Sequence, residues 1–144
     1  MKIDGTTIVA LPLDKAYDAM QDPVVLAKCM PGCEGLEKIG PDEYSMKMKM
    51  ALAAFSGAFD GKVKITEQNP PTSFRLTVEG SGKVGFMKGG GLLTLSPHAD
   101  GTQVAYDGDV QVGGTIAAVG QRMIDSTAKM MIKRFFDKLA SSAG

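Results

Sequence analysis

Alternation with a period of two dominates the middle of the chain. Met46, Met48, Met50 and Leu52 fall on one side of a segment running from Tyr44 to Leu52, while Ser45, Lys47 and Lys49 fall on the other. That is the mark of a strand with one buried and one wet face. Phe59, Gly61, Val63 and Ile65 alternate in the same way with Ala58, Asp60, Lys62 and Lys64. Phe74, Leu76 and Val78 alternate with Arg75, Thr77 and Glu79, and Val104, Tyr106, Val110 and Val112 alternate with Asp107, Asp109 and Gln111. Further β-rich runs lie from Ile3 to Leu11, from Gly35 to Ile39 and, rich in glycine, from Lys83 to Leu95. Gly40-Pro-Asp42, Asn69-Pro-Pro71 and Ala99-Asp-Gly101 are turn signals between them.

The period changes near both ends. Asp14 to Met20 reads as a short helix with Asp14 as N-cap, and Pro23 opens a second short helix through Lys28 that Met30-Pro-Gly32 stops. After Gly113-Gly114, the segment from Thr115 to Leu139 predicts one helix of roughly seven turns. Ile116, Val119, Met123, Met130 and Phe135 form its apolar stripe, widened by Ile124, Ala128, Met131, Ile132 and Leu139. The order is β, α, α, about six β, α. This predicts an α+β domain over residues 1–144, in which a curved antiparallel sheet of six to seven strands wraps the long C-terminal helix.

Such a sheet has a concave apolar face and one long helix to cover it. Candidate walls of the space between them are Met46, Met48, Phe59, Val63, Leu76, Val78, Phe86, Leu93, Tyr106, Val119, Met123 and Met130. The residue pattern alone fits either a filled core or a hollow that takes an apolar ligand with Tyr106 as its polar handle. Glycines number 18, many of them inside strand-like segments, where they mark bends or close approach. There are 10 methionines and no tryptophan, a composition suited to irregular, adaptable apolar surfaces.

Charge and motifs narrow the function by exclusion. The 16 basic and 16 acidic residues balance without a long single-sign run, which argues against a nucleic-acid partner. The opening Met1-Lys-Ile-Asp-Gly5 has no apolar region behind it, and no apolar run approaches the ~18 residues of a membrane span, so a cytoplasmic protein is expected. Gly80-Ser-Gly-Lys-Val-Gly85 matches a dinucleotide fingerprint in spelling, but a further strand follows it instead of a helix, so it reads as a connection between strands. Ser126-Thr-Ala-Lys129 lacks the companion motifs of a serine acylase. Cys29, Cys33 and the single histidine, His98, make neither a metal set nor a nucleophile with a nameable base. Arg122, Lys129 and Lys133 share a face of the last helix, which reads as a solvated face.

Several segments together resemble a known family. Met30-Pro-Gly-Cys-Glu34, Gly80-x-Gly-x-x-Gly85, Gly101-Thr102 with Tyr106, the run Val112 to Gln121, and Phe135-Phe136 fall in the order of the carbon monoxide dehydrogenase G-subunit family. That family is a branch of the START-like (SRPBCC) helix-grip superfamily, and the resemblance spans about residues 2 to 140. It implies a helix-grip fold around a deep apolar cavity and a non-catalytic accessory role beside a molybdenum hydroxylase, carbon monoxide dehydrogenase. It further implies a lipophilic ligand, an isoprenoid quinone carried without covalent attachment, and peripheral contact with the inner face of the cytoplasmic membrane. The competing expectations are an aromatase/cyclase-like enzyme that uses the same cavity, and a ligand-free docking protein.

Overall fold

The alternating segments form one seven-stranded antiparallel sheet, in the order β1-β7-β6-β5-β4-β3-β2. The computed structural model describes residues 1–30, 32–52 and 55–143. The strands are β1 (Lys2–Val9), β2 (Cys33–Gly40), β3 (Glu43–Leu52), β4 (Phe55–Asn69), β5 (Ser73–Gly82), β6 (Gly85–His98) and β7 (Gly101–Gly113). From β2 to β7, neighbours in sequence are neighbours in the sheet; β1 closes the far side by pairing with β7. The fingerprint-like glycines end β5 and open β6 around a short turn, as their spelling without a following helix predicts.

Between β1 and β2 lie helices α1 (Leu13–Gln21) and α2 (Pro23–Cys29). Asp14 is not the cap of α1. Pro12 occupies that position without a side-chain bond, and Asp14 sits in the first turn, where a carboxylate favours the helix dipole. Asp22 caps α2, its carboxylate accepting from the Val24 N–H at 2.9 Å, with Pro23 at the first helical position. Pro31, part of the expected stop of α2, lies outside the described residues.

The long helix is shorter than its sequence suggests. Residues Gly114–Val119 form a 3-10 segment, and α3 begins only at Gln121 and runs to Ala143. Gly120, at φ 95°, breaks the two apart in a conformation that residues with a side chain avoid. The 3-10 segment is tied to the β5–β6 turn by the Ile116 N–H, which donates to the Val84 carbonyl at 2.9 Å.

Two halves of the concave face differ. Toward the start of β5 the space is filled: Val9, Phe74, Leu95, Val104, Tyr17, Met20 and Leu139 are all buried. Tyr17 meets Phe74 edge-on at 5.6 Å, and its hydroxyl donates to the Ser73 carbonyl. Buried Thr102 donates to the Leu11 carbonyl at 2.8 Å, so no polar cost is left there. In the other half the inward positions of β6 and β7 carry Gly89, Gly91 and Gly108.

Gly91 and Gly108 face each other across the ladder. A Cβ on Gly108 would stand 2.9 Å from the Gly91 Cα and collide with the Gly90 carbonyl oxygen. The two backbones therefore approach more closely than any side chain permits. Gly108→Ala is expected to cost about 1–3 kcal/mol in urea unfolding, as overpacking does; an unchanged midpoint would show that the strands part freely there.

Candidate ligand-binding site

The glycine floor leaves a pocket of about 250 Å³ between sheet and helix. Leu76, Val78 and Leu93 wall it from β5 and β6, and Met46 and Met48 from β3. On the helix side it meets Ala128, Met131, Ile132, Phe135 and Phe136 of α3. Met30, from the end of α2, and Met87 complete a wall that contains five methionines with Met46, Met48 and Met131. Thioether side chains rotate at little cost, so such a wall accepts more than one apolar shape. The floor is bare because three inward positions are glycine and the residue on α3 at this level, Ala128, is small.

One side of the pocket is aromatic. The Tyr106 and Phe136 rings stack at 6.0 Å with 21° between their planes, and Phe135 meets Phe136 edge-on at 5.2 Å. The Tyr106 hydroxyl leans over Gly5, where a Cβ would come within 2.6 Å of it. Among the described residues this hydroxyl has no hydrogen-bond partner, so it is the polar atom that an occupant of the pocket can engage.

Of the twelve sequence-predicted wall residues, Met46, Met48, Leu76, Val78, Leu93 and Tyr106 lie on this pocket. Phe59 and Val63 face inward as expected but pack within the core, off the pocket wall. Phe86, Val119 and Met123 are exposed, and half-buried Met130 points past the pocket. Each of these four departures has a physical reason. Phe86 is out of phase: counting back by twos from inward Leu93 reaches Met87, but glycines at positions 89 to 91 hide that alternation. Val119 and Met123 lie on either side of the Gly120 break, which resets the helical phase. Counted from Gln121, the inward stripe runs through buried Ile124 and Ala128, half-buried Met131 and Phe135, and buried Phe136 and Leu139, and Met130 falls beside it.

The two charged residues that border the pocket, Asp107 and Asp109 of β7, are exposed, and Asp107 lies 3.8 Å from Lys2. Lys129 and Lys133 pair with Asp125 and Asp137 one turn away on α3, which makes that face the solvated one expected. Among the described residues there is no cluster of three metal-binding side chains, and no helix is long and apolar enough to cross a membrane. Cys29 is buried and Cys33 half-buried, and neither forms a disulfide. Burial pushes the Cys33 thiol up, helped by Glu34 and opposed by a backbone hydrogen bond at Gly35 that favours the thiolate.

A seven-stranded sheet gripping one C-terminal helix over an apolar hollow is the helix-grip class. The profile of the carbon monoxide dehydrogenase G-subunit family (CoxG) matches residues 5–144, and the chain belongs to that family. A conserved protein from Geobacillus kaustophilus shares 34% identity, with a TM-score of 0.95 over 99% of this chain and 95% of that one. Protein CV1439 from Chromobacterium violaceum shares the fold at 21% identity, with a TM-score of 0.70 over 97% and 95% of the two chains. Protein Ms6760 from Mycobacterium smegmatis does so at 17% identity, with a TM-score of 0.71 over 97% and 88%. No functionally curated protein matches the chain.

Phe136→Ala removes the ring between Tyr106 and Phe135 and is expected to lower stability by about 3–5 kcal/mol, read by urea or thermal unfolding. At mildly alkaline pH, iodoacetamide should alkylate Cys33 more slowly than a free cysteine, because the thiolate is the reactive form. The folded chain holds that proton more tightly than the unfolded one. The associated stability is present below the ordinary thiol pKa and is lost as pH rises through the elevated one. Alkylation at the rate of an unfolded control would contradict the burial of Cys33.

Proposed function

We propose that this protein is a non-catalytic carrier in a carbon monoxide dehydrogenase system, holding a lipophilic molecule of the isoprenoid quinone class in the apolar pocket and linking the enzyme to the membrane. The family supports the accessory role. The observation that carries the ligand is the pocket, which has a side-chain-free floor, a methionine wall and one unengaged hydroxyl. An apolar molecule entering it exchanges water for close dispersion contacts, and Tyr106 offers one hydrogen bond to a carbonyl. A flat quinoid ring fits beside the Tyr106–Phe136 stack in the offset geometry aromatic groups prefer.

In this reading the chain performs no chemical step. It shields a water-insoluble molecule between a bilayer and a soluble, molybdenum-containing partner at the inner face of the cytoplasmic membrane. A cyclase reading would require acid and base groups on the wall. The inward side chains there are apolar apart from the tyrosine hydroxyl, and this favours carriage over catalysis.

Organic-solvent extraction of the purified protein, followed by mass spectrometry, is expected to yield an isoprenoid quinone. Ala128→Leu pushes a larger side chain toward the pocket floor and should abolish that yield while the protein stays folded by circular dichroism. Equal yields from both proteins would place the lipophile elsewhere and defeat the carrier reading.

A further inference from the structure

The inward glycines of this sheet differ in what they leave room for. A Cβ on Gly61 would stand 2.6 Å from the Glu79 carbonyl oxygen, one on Gly91 2.8 Å from that of Asp107, and one on Gly108 2.9 Å from the Gly91 Cα. At these positions the neighbouring backbone leaves space for hydrogen alone. Gly80, on β5, is unlike them. A Cβ built on it meets nothing nearer than the Asp60 carbonyl oxygen at 3.9 Å and the Phe59 Cβ at 4.0 Å, and its φ lies outside the left-handed region. Neither strand approach nor backbone angle asks for glycine there. Gly80 is buried all the same, so the room above it is enclosed by protein.

The register says what encloses it. One inward row runs Met46, Gly61, Gly80, Met87 across β3, β4, β5 and β6. Met46 folds its methyl over Gly61, 2.9 Å from where a Cβ would be. Both methionines line the pocket, as does Val78, the next inward residue of β5. The room over Gly80 is therefore a recess beside the pocket, bounded by side chains that rotate at little cost. Tyr106 pairs with Leu93 and Leu93 with Phe74, so the row of the tyrosine crosses β5 at Phe74. Gly80 lies six residues further along that strand, roughly 20 Å at ~3.3 Å per residue. The pocket has walls in both rows, with a hydroxyl at one end and thioethers over bare backbone at the other. A molecule filling it from end to end is long and thin, polar at one tip and apolar over the rest. A bare ring system does not span that length; a ring carrying an attached chain does.

We infer that Gly80 sets how long a chain the pocket accepts. Its missing side chain forms the recess that receives the far end of a head-and-tail lipophile whose polar head sits at Tyr106. The inference deepens the carrier reading and rests on it, adding the direction in which the ligand lies and the residue that limits its length.

The test titrates the full chain with 2-methyl-3-alkyl-1,4-naphthoquinones whose straight chain grows from ethyl to decyl, with Kd read by calorimetry. Their quinoid ring has no open position for a thiol to add to. For the unmodified protein each added methylene should tighten binding by about fourfold until the chain reaches the recess. Gly80→Val fills the recess with a strand-favouring side chain. The loss of affinity should grow with chain length and reach about tenfold or more for the decyl probe. Ser81→Val, one residue on and exposed on the outer face, should bind the whole series as the unmodified protein does. Gly80→Ala checks the recess without a ligand. It should keep or raise the urea midpoint, because the added methyl meets no close backbone and narrows the unfolded ensemble, whereas Gly108→Ala lowers it. A midpoint lowered as far as by Gly108→Ala, or a Gly80→Val protein that binds the decyl probe undiminished, would overturn the inference. So would an affinity that stays flat as the chain lengthens; with the short probes still bound, the pocket and the carrier reading then stand and only the recess falls. No binding of any probe removes the carrier reading and the recess together.

Discussion

The close approach of β6 and β7 at Gly91 and Gly108 is the constraint on which the rest of the fold turns. A sheet that curls around a helix must bring neighbouring backbones together on its concave side, where side chains would collide. Here that side carries glycine at three inward positions, and at two of them, Gly91 and Gly108, the backbones close to distances that no Cβ tolerates. The same substitution of hydrogen for side chain has a second effect. What permits the bend also removes the groups that would have filled the space beneath α3, so curvature and hollow share one cause.

The helix completes the arrangement from the other side. Gly120 uncouples the 3-10 segment from α3, which lets the helix set its own phase. With that phase Ala128 lies over the glycine floor and the larger Met131, Phe135 and Phe136 stand at its margins. Leu139, about four turns further on than Ile124, is fully buried in the packed half beside Val9 and Val104. Rigidity and adaptability are thus divided along one helix. The end near Leu139 is locked among β-branched and aromatic neighbours, while the middle faces thioethers that can rearrange.

This division bears on the proposed carrier role. A binding hollow costs stability, because cavity walls lose dispersion partners. Confining the hollow to one half lets the other half hold the sheet and helix together, with the Tyr17–Phe74 contact and the Thr102–Leu11 hydrogen bond at its far end. Charges are kept to the convex face and the outer side of α3, where Lys129–Asp125 and Lys133–Asp137 pairs are worth little individually but keep the surface wet.

Much of the architecture was legible in the chain itself. Period-two runs located the strands of β3, β4, β5 and β7, and the inward faces they define carry Met46, Met48, Leu76, Val78 and Tyr106, because alternation follows from the pleat and needs no partner to be known. Asp22-Pro23 announced α2 through local capping chemistry. What depended on distant contacts was not legible. In β6 the glycines erase the alternation, so Phe86 and Met87 could be told apart only by pairing to β5 and β7. The phase of α3, and with it the exposure of Val119 and Met123, was set by one backbone angle at Gly120. Phe59 and Val63 could be read as inward, but whether an inward residue meets a neighbour or a hollow is a matter of three-dimensional packing. Local periodicity determines which way a side chain points; only the folded sheet, bent at its glycines against the helix, decides what it finds there.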